Sequence, residues 1–147
     1  MTTKSLAIGS DHAGYECKEY IKELLKTTSP GLAMIDVGTY SSDSVDYPDF
    51  AHQVALKVAS NEVDTGIVIC GSGNGVCITA NKHANIRAAL CWTAEIASLA
   101  RQHNDANVLC IPARFVSHET AATMVEMFMN TDFEGGRHAK RVEKINL

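Results

Sequence analysis

A chain of 147 residues has the length of one ordinary domain, and we expect a single domain spanning residues 1–147. Its residues are 46% hydrophobic and 20% charged, a balance typical of a folded globular protein. Thirteen Lys and Arg residues against seventeen Asp and Glu residues give a net charge of −4, which argues against general nucleic-acid binding. A site for an anion must therefore be local.

The sequence carries no sign of a membrane or secreted protein. No apolar stretch approaches the roughly 20 residues of a membrane span, and the N-terminal segment is too short for a signal-peptide core. We therefore expect a cytoplasmic protein with no membrane partner.

Five cysteines, an odd number, suit reduced thiols better than a disulfide framework. The absence of a C-x-x-C pair leaves a zinc knuckle or a thioredoxin-type site without support.

Short β-branched apolar runs alternate along the chain with longer amphipathic segments. Apolar runs predict strands buried on both faces at residues 6–8, 34–37, 66–69, 86–90 and 107–111. Helical spacing or composition predicts helices around residues 20–25, 51–58, 94–103 and 119–129. This alternation predicts an α/β fold, a five-stranded parallel sheet with helices on both faces. After Gly135 and Gly136, the last residues predict a short basic helix or tail.

Polar residues directly follow the first predicted strand, at the edge where a parallel sheet binds ligands. Residues 9–14 read Gly-Ser-Asp-His-Ala-Gly. Ser10 or Asp11 could simply cap the next helix, and for Asp11 that interpretation is at least as good as a functional one. Capping does not require His12, whose ring titrates near neutral pH. Asp11 and His12 are therefore candidate site residues.

A glycine-rich loop after the third predicted strand is the most informative stretch. Residues 70–75 read Cys-Gly-Ser-Gly-Asn-Gly, and the glycines let successive backbone N–H groups turn toward one centre, as in an anion-binding nest. The loop is neither a Walker motif nor a dinucleotide fingerprint, and Val76 replaces the arginine of a phosphatase loop. Cys70 heads the loop, where a helix N-terminus and cations would stabilise a thiolate able to act as base or nucleophile. We expect the other four cysteines to fill the core.

Three further segments carry candidate residues, each with a plain structural alternative. Tyr47 lies in a predicted polar loop at residues 43–50 and offers a ring and a hydroxyl, although a tyrosine fixed at a helix start is equally expected. His103 ends a helical pattern, where a histidine is often only a partner of the helix dipole. Arg137 and Arg141 would share one helix face and could hold a phosphate; the alternative is a solvated basic face.

Six blocks together resemble the family of type B ribose-5-phosphate isomerases, which also contains galactose-6-phosphate isomerase. The blocks stand in order at residues 9–15, 45–50, 70–75, 80–91, 101–107 and 135–141. Six blocks at compatible spacing make a chance resemblance implausible. The resemblance implies a Rossmann-like three-layer α/β/α fold without cofactor or metal. It also implies a homodimer, in some members paired into a tetramer, with the site at the subunit interface.

The resemblance further implies a reaction and roles for the site residues. The reaction interconverts ribose 5-phosphate and ribulose 5-phosphate through a cis-enediolate, in the pentose phosphate pathway. Cys70 matches the base that moves a proton between C1 and C2, and His103 matches the acid that opens the sugar ring. Asn104 matches a contact made across the dimer. The residues that match substrate contacts are Asp11, His12, Tyr47, Gly71, Ser72, Gly73, Asn74, Gly75, Asn104, Arg114, Arg137 and Arg141.

The sequence departs from the family pattern at two loop positions, and alternatives stay open. Ser72 stands where many relatives have threonine and keeps the hydroxyl, while Asn74 stands where many have an aliphatic residue. Some members use a glutamate base just after the loop, but Val76 occupies that place, which leaves Cys70 as the base. The alternatives are an isomerase of galactose 6-phosphate or allose 6-phosphate, a non-catalytic sugar-phosphate sensor, and a cysteine-dependent hydrolase.

Overall fold

The computed structural model describes residues 3–146, in which five strands alternate with six helices. The strands are β1 (Ser5–Ser10), β2 (Ala33–Asp36), β3 (Thr65–Cys70), β4 (Ala88–Leu90) and β5 (Val108–Pro112). The helices are α1 (Tyr15–Thr28), α2 (Tyr47–Ala59), α3 (Asn74–Ala80), α4 (Ala94–Asn104), α5 (His118–Asn130) and α6 (Arg137–Glu143). Among these helices, none combines the length and the apolar character needed to cross a lipid bilayer.

The strands form one parallel sheet in the order β2-β1-β3-β5-β4. All five predicted strands are confirmed, with ends shifted by one or two residues. The seven residues of α3 are too few to leave a helical repeat in the sequence, so no pattern predicts its bounds. The strand order reverses between β1 and β3, whose carboxyl ends lie side by side with Ser10 opposite Ile69. A crevice is expected at such a reversal point.

Apolar residues alternate between the two faces of the sheet, as the strand period of two requires. In β3, Ile67 and Ile69 pack in the core formed with α1, α4 and α5. Val68 and Cys70 pack in the second core, formed with α2 and α3 on the other face. Both faces are covered, which confirms the three-layer α/β/α arrangement. Strand alternation therefore sets Cys70 on the side of α2 and α3.

A buried charge pair joins α1 to the end of β2, which in turn is hydrogen-bonded to the end of β1. Lys18 of α1 is fully buried, and its Nζ lies 2.8 Å from each carboxylate oxygen of Asp36. Burial alone would raise the pKa of Asp36, but hydrogen bonds from Lys18 and Lys22 outweigh it and hold the pKa below its ordinary value. Asp36 also accepts a hydrogen bond from the amide of Gly38, whose carbonyl accepts one from the N–H of Ser10. The pair thus supports the strand end that precedes the candidate site.

Replacement of Asp36 by asparagine should lower the free energy of unfolding by about 3 kcal/mol, because the buried Lys18 ammonium loses its main partner. We expect Lys18→Met to cost less, since Lys22 still pairs with Asp36 at 2.7 Å. Folding lowers the pKa of Asp36, so its contribution is present above the unfolded pKa and is lost as the pH falls through the lowered folded value. Urea unfolding near neutral pH and below about pH 4 measures both effects. A larger loss of unfolding free energy from Lys18→Met than from Asp36→Asn would contradict this account.

Candidate active site

A cavity of about 450 Å³ opens at the carboxyl ends of β1 and β3 and beside the residues that follow β5. It lies where the strand order reverses, the expected place for a ligand in a parallel sheet. The residues that line it are Asp11, His12, Ala13, Tyr47, Cys70, Gly71, Ser72, Gly75, Arg114 and Phe115. Eight of these residues were predicted from the sequence, from segments far apart in the chain, and the fold brings them together.

The glycine-rich loop joins Cys70 to the start of α3. Cys70 is the last residue of β3 and is 5% exposed. Gly73 has a φ of +73°, and a Cβ there would lie 2.5 Å from Leu90 Cδ1 and 3.1 Å from the backbone nitrogen of Pro112. Only glycine fits this position. The amide of Asn74 donates to Ser72 Oγ at 3.3 Å, so the serine hydroxyl helps to hold the turn.

Gly73→Ala should therefore destabilise the protein by about 1–3 kcal/mol, through a strained backbone and a contact with Pro112 that no rotamer relieves. For a domain of this size, in which 1 kcal/mol lowers the Tm by about 2–4 °C, we expect the Tm to fall by roughly 2–12 °C. Gly31→Ala is the matched control, because a Cβ at Gly31 would meet nothing within 4 Å. Thermal unfolding of the two variants checks the prediction. Equal melting temperatures would show that the loop does not need its left-handed residue.

Asp11 and His12 lie in the turn between β1 and α1. Neither Ser10 nor Asp11 is the N-cap of α1, because Gly14 takes that position, and the amide of Gly14 donates to Asp11 Oδ1 at 3.0 Å. Asp11 thus braces the turn before the helix rather than capping it. The N–H of Val45 donates to His12 Nδ1 at 3.2 Å. Since an amide N–H only donates, a neutral His12 carries its proton on Nε2 and can give a hydrogen bond to a ligand.

Tyr47 and Arg114 lie against the glycines of the loop. A Cβ at Gly75 would overlap the Tyr47 ring, and a Cβ at Gly71 would lie 3.2 Å from Arg114 Cδ. The Tyr47 ring and the Arg114 side chain therefore pack against the loop at two positions where glycine leaves room for them. The prediction of a polar loop over residues 43–50 is wrong in its second half, because α2 begins at Tyr47 with a proline in its first turn. Tyr47 both starts the helix and lines the cavity.

Six predicted site residues do not line this cavity: Gly73 and Asn74, which belong to the loop itself, and His103, Asn104, Arg137 and Arg141. Each helix of a parallel α/β fold starts near the carboxyl ends of the strands and runs back to their amino ends. The 11 residues of α4 span about 15 Å, so His103 and Asn104 at its end lie at the amino edge of the sheet. One chain alone does not bring these residues to Cys70.

A second cluster forms at the amino edge, between α4 and α6. The ring of His103 stacks on that of His138, with 4.3 Å between ring centroids, and its Nε2 lies 4.0 Å from Glu134 Oε1. The amide of Glu134 donates to the carbonyl of Gln102, which ties the segment before α6 to α4. Burial, His103 and Arg137 together lower the pKa of His138. The cluster is thus held together by contacts of its own.

The helix α6 confirms the predicted short basic helix after the glycine pair. Arg137 and Arg141 lie one turn apart in it, and Arg141 Nη1 donates to the carbonyl of Arg137 at 2.8 Å. No residue of α6 is buried. The two guanidinium groups therefore stand on an exposed helix, where they are available to an anion brought by another molecule or another subunit.

Two residues of this region were not singled out from the sequence. Phe115 lines the cavity although it is 75% exposed, and its position directly after a strand end was the available signal.

Cys77 of α3 is half-buried, and a hydrogen bond from Cys110 is the main cause that lowers its pKa to about 7. Burial instead raises the pKa of Cys17 to about 11 and that of Cys91 to about 12. The prediction that these cysteines fill the core is confirmed for Cys17, Cys91 and Cys110, which are buried, and Cys77 packs half-buried against the core formed with α2 and α3.

A larger cavity of about 570 Å³ lies between α1 and α5. Its lining mixes polar residues with apolar ones, among them Ile21, Leu25, Val125 and Met129. No thiol, imidazole or guanidinium group is among the residues that line it. Its charged residues are Lys4 and Glu126, whereas the thiol of Cys70, the imidazole of His12 and the guanidinium of Arg114 line the smaller cavity.

Comparison with known sequences places the chain in a family. Residues 6–145 match the sequence profile described as Ribose/Galactose Isomerase. The chain is 48% identical over 143 residues to ribose-5-phosphate isomerase B of Escherichia coli strain K12, across 97% of this chain and 94% of that relative. It is 43% identical over 145 residues to a putative sugar phosphate isomerase of Rickettsia bellii, across 99% of both proteins.

Solved structures agree with the sequence comparison. A ribose 5-phosphate isomerase from Thermotoga maritima superposes with a TM-score of 0.92 at 48% identity, over 97% of both chains. Ribose-5-phosphate isomerase B from Mycoplasma genitalium, solved with bound ribulose 5-phosphate, superposes with a TM-score of 0.91 at 46% identity, over 96% of this chain and 93% of that one. On its sequence and its fold, this chain belongs to the ribose/galactose isomerase family.

Proposed function

We propose that this protein interconverts ribose 5-phosphate and ribulose 5-phosphate by proton transfer between C1 and C2. The observation that carries the proposal is the position of Cys70, a thiol at the end of β3 that heads a glycine-rich loop inside the cavity. Two relatives support it: the one from E. coli is a ribose-5-phosphate isomerase B, and the one from M. genitalium holds ribulose 5-phosphate. Both cover more than nine tenths of this chain.

The cavity offers a group for each demand of the proton transfer. The Cys70 thiolate takes the proton from C2 of the open-chain aldose and returns it to C1 of the enediolate. Backbone amides of the loop residues that line the cavity, Gly71, Ser72 and Gly75, donate to the enediolate oxygen as its negative charge develops. His12 and Arg114 supply a hydrogen-bond donor and a positive charge beside the same cavity. Tyr47 closes one wall with its ring.

The groups for ring opening and for part of the phosphate clamp come from the other edge of the molecule. We name the set Asp11, His12, Tyr47, residues 70–75 and Arg114 the carboxyl-edge half. The amino-edge half consists of His103, Asn104, Arg137 and Arg141. In a two-fold homodimer, the carboxyl-edge half of each subunit meets the partner's amino-edge half, which produces two complete sites. Such a dimer could pair further into a tetramer.

Exposed apolar side chains support an interface near the carboxyl-edge half. Ile78 of α3, Trp92 after β4 and Phe115 after β5 are each more than half exposed. Large apolar groups of this kind are common where a protein surface meets a partner. Phe115 lines the cavity itself, where a second subunit would have to approach in order to complete the site.

The decisive assay uses the purified chain with no other subunit present, in reducing buffer that contains EDTA. We expect it to convert ribose 5-phosphate with a higher kcat/KM than galactose 6-phosphate or allose 6-phosphate. A higher value on a six-carbon sugar phosphate would overturn the assigned substrate and leave the reaction type. Binding of ribose 5-phosphate without turnover by folded, reduced protein would identify a sensor rather than an enzyme.

A further inference from the structure

The amino-edge cluster contains three side chains whose donor atoms converge. One ligand atom from each of His103, Glu134 and His138 lies within 4.8 Å of the others. They come from three parts of the chain: the end of α4, the segment that follows α5, and the first turn of α6. Two imidazoles and a carboxylate form a donor set that binds zinc in proteins, with water in the fourth position.

The separations are larger than in an occupied site, but the chain has room to close them. Ligand atoms bound to zinc at about 2.0–2.1 Å stand roughly 3.3 Å apart, whereas His103 Nε2 and Glu134 Oε1 are separated by 4.0 Å. Gly135 and Gly136 connect Glu134 to α6, and a Cβ at either glycine would meet nothing within 4 Å. Rotation of the two stacked rings and a small shift of this glycine linker bring the three donors to one centre.

We propose that His103, Glu134 and His138 form a binding site for a divalent transition-metal ion, with zinc as the best-fitting ion. The site is distinct from the carboxyl-edge half and has no thiol ligand. Because it uses His103, its effect on turnover rests on the proposed function: metal binding withdraws the ring-opening group and inhibits the enzyme. Arg137 and Arg141 add positive charge nearby, so the metal binds reversibly and a chelator removes it.

Metal binding is measured on the full-length protein by calorimetry with Zn²⁺ and by absorption with Co²⁺. We expect one ion per chain and Co²⁺ bands in the visible region, without the near-ultraviolet band of a thiolate ligand. Glu134→Gln and His138→Gln should each weaken binding by more than the 10- to 100-fold typical of an outer-shell partner. Glu134 is exposed, so its substitution leaves the fold intact, as circular dichroism can verify.

His52→Gln is the control, because His52 and His83 form a close histidine pair elsewhere in the described structure, with Nδ1 and Nε2 2.7 Å apart. This variant should bind the ion as the wild type does. A thiolate band, or binding lost in His52→Gln and kept in Glu134→Gln, would overturn the site.

Turnover supplies a separate readout. Zn²⁺ should inhibit the wild type reversibly, and Glu134→Gln should escape inhibition. Zinc that binds at this cluster without slowing turnover would support the site and contradict the ring-opening role of His103. A protein without turnover on any sugar phosphate would contradict the proposed function, while the binding measurements would still decide the metal site.

Discussion

Cys70→Ala is expected to lower kcat for ribose 5-phosphate isomerisation by about 10³-fold or more, while ribose 5-phosphate still binds. The Cys70 thiolate is the only group that we assign to the proton transfer. Val76, which follows the glycine-rich loop, has no group that could act as a base in its place. Cys70 lines the cavity wall, so alanine removes the thiol from the site, and circular dichroism checks that the fold is kept. Steady-state kinetics give kcat, and calorimetry gives the Kd of the substrate. A variant that keeps most of its turnover would exclude Cys70 as the base.

Cys77→Ala is the matched control, because Cys77 lies on the adjoining helix and its thiol has a pKa of about 7. We expect this variant to retain turnover. It also removes the thiol that would compete most strongly with Cys70 for an alkylating reagent at neutral pH. In the Cys77→Ala protein, substrate should slow inactivation by iodoacetamide. Inactivation at the same rate with and without substrate would place the reactive thiol outside the site.

Two inactive variants should restore activity when they share a dimer. Cys70→Ala disables the carboxyl-edge half, and the double variant His103→Ala/Arg137→Ala disables the amino-edge half. A mixed dimer then contains one site with both halves intact. Because random pairing gives half of the dimers in the mixed form, we expect about a quarter of the wild-type activity after co-refolding.

The control mixes two variants of the same half, Cys70→Ala and Arg114→Ala. Their mixed dimer has a damaged residue in both sites, so it should gain no activity over the separate proteins. Recovery in the first mixture and none in the second would assign the two halves to different subunits. Absence of recovery in both, in samples shown to contain mixed dimers by mass spectrometry, would contradict the shared site.

Local patterns in the sequence predicted the strands and every helix except α3, and they singled out the reactive groups of the carboxyl-edge half. Strands buried on both faces must be apolar throughout, so the run around Ile67 could be recognised without any knowledge of its neighbours. The glycine-rich loop after Cys70 has a local signal too, since Gly73 adopts a backbone conformation that other residues avoid. Each of these features depends on residues close together in the chain.

Other features depend on distances that no local pattern contains. The sequence assigns His103, Arg137 and Asp11 to one site and does not show how far apart they lie. In the structure, His103 stands at the end of α4, whose length places it at the edge of the sheet opposite to Asp11. The stacking of His103 on His138, and the pairing of buried Lys18 with Asp36, join residues from different elements. The thiol environment of Cys77 likewise depends on Cys110, which lies on another strand.

The sequence by itself thus determined which residues can do chemistry, because residue type and backbone demands are local properties. The tertiary structure decided which of them meet, because helix lengths and strand order fix their positions in space. It divided the predicted site into a carboxyl-edge half at Cys70 and an amino-edge half at His103, and it placed Glu134 beside the latter. The separation of these halves, by a helix about 15 Å long, is the physical reason why one chain does not complete the proposed site.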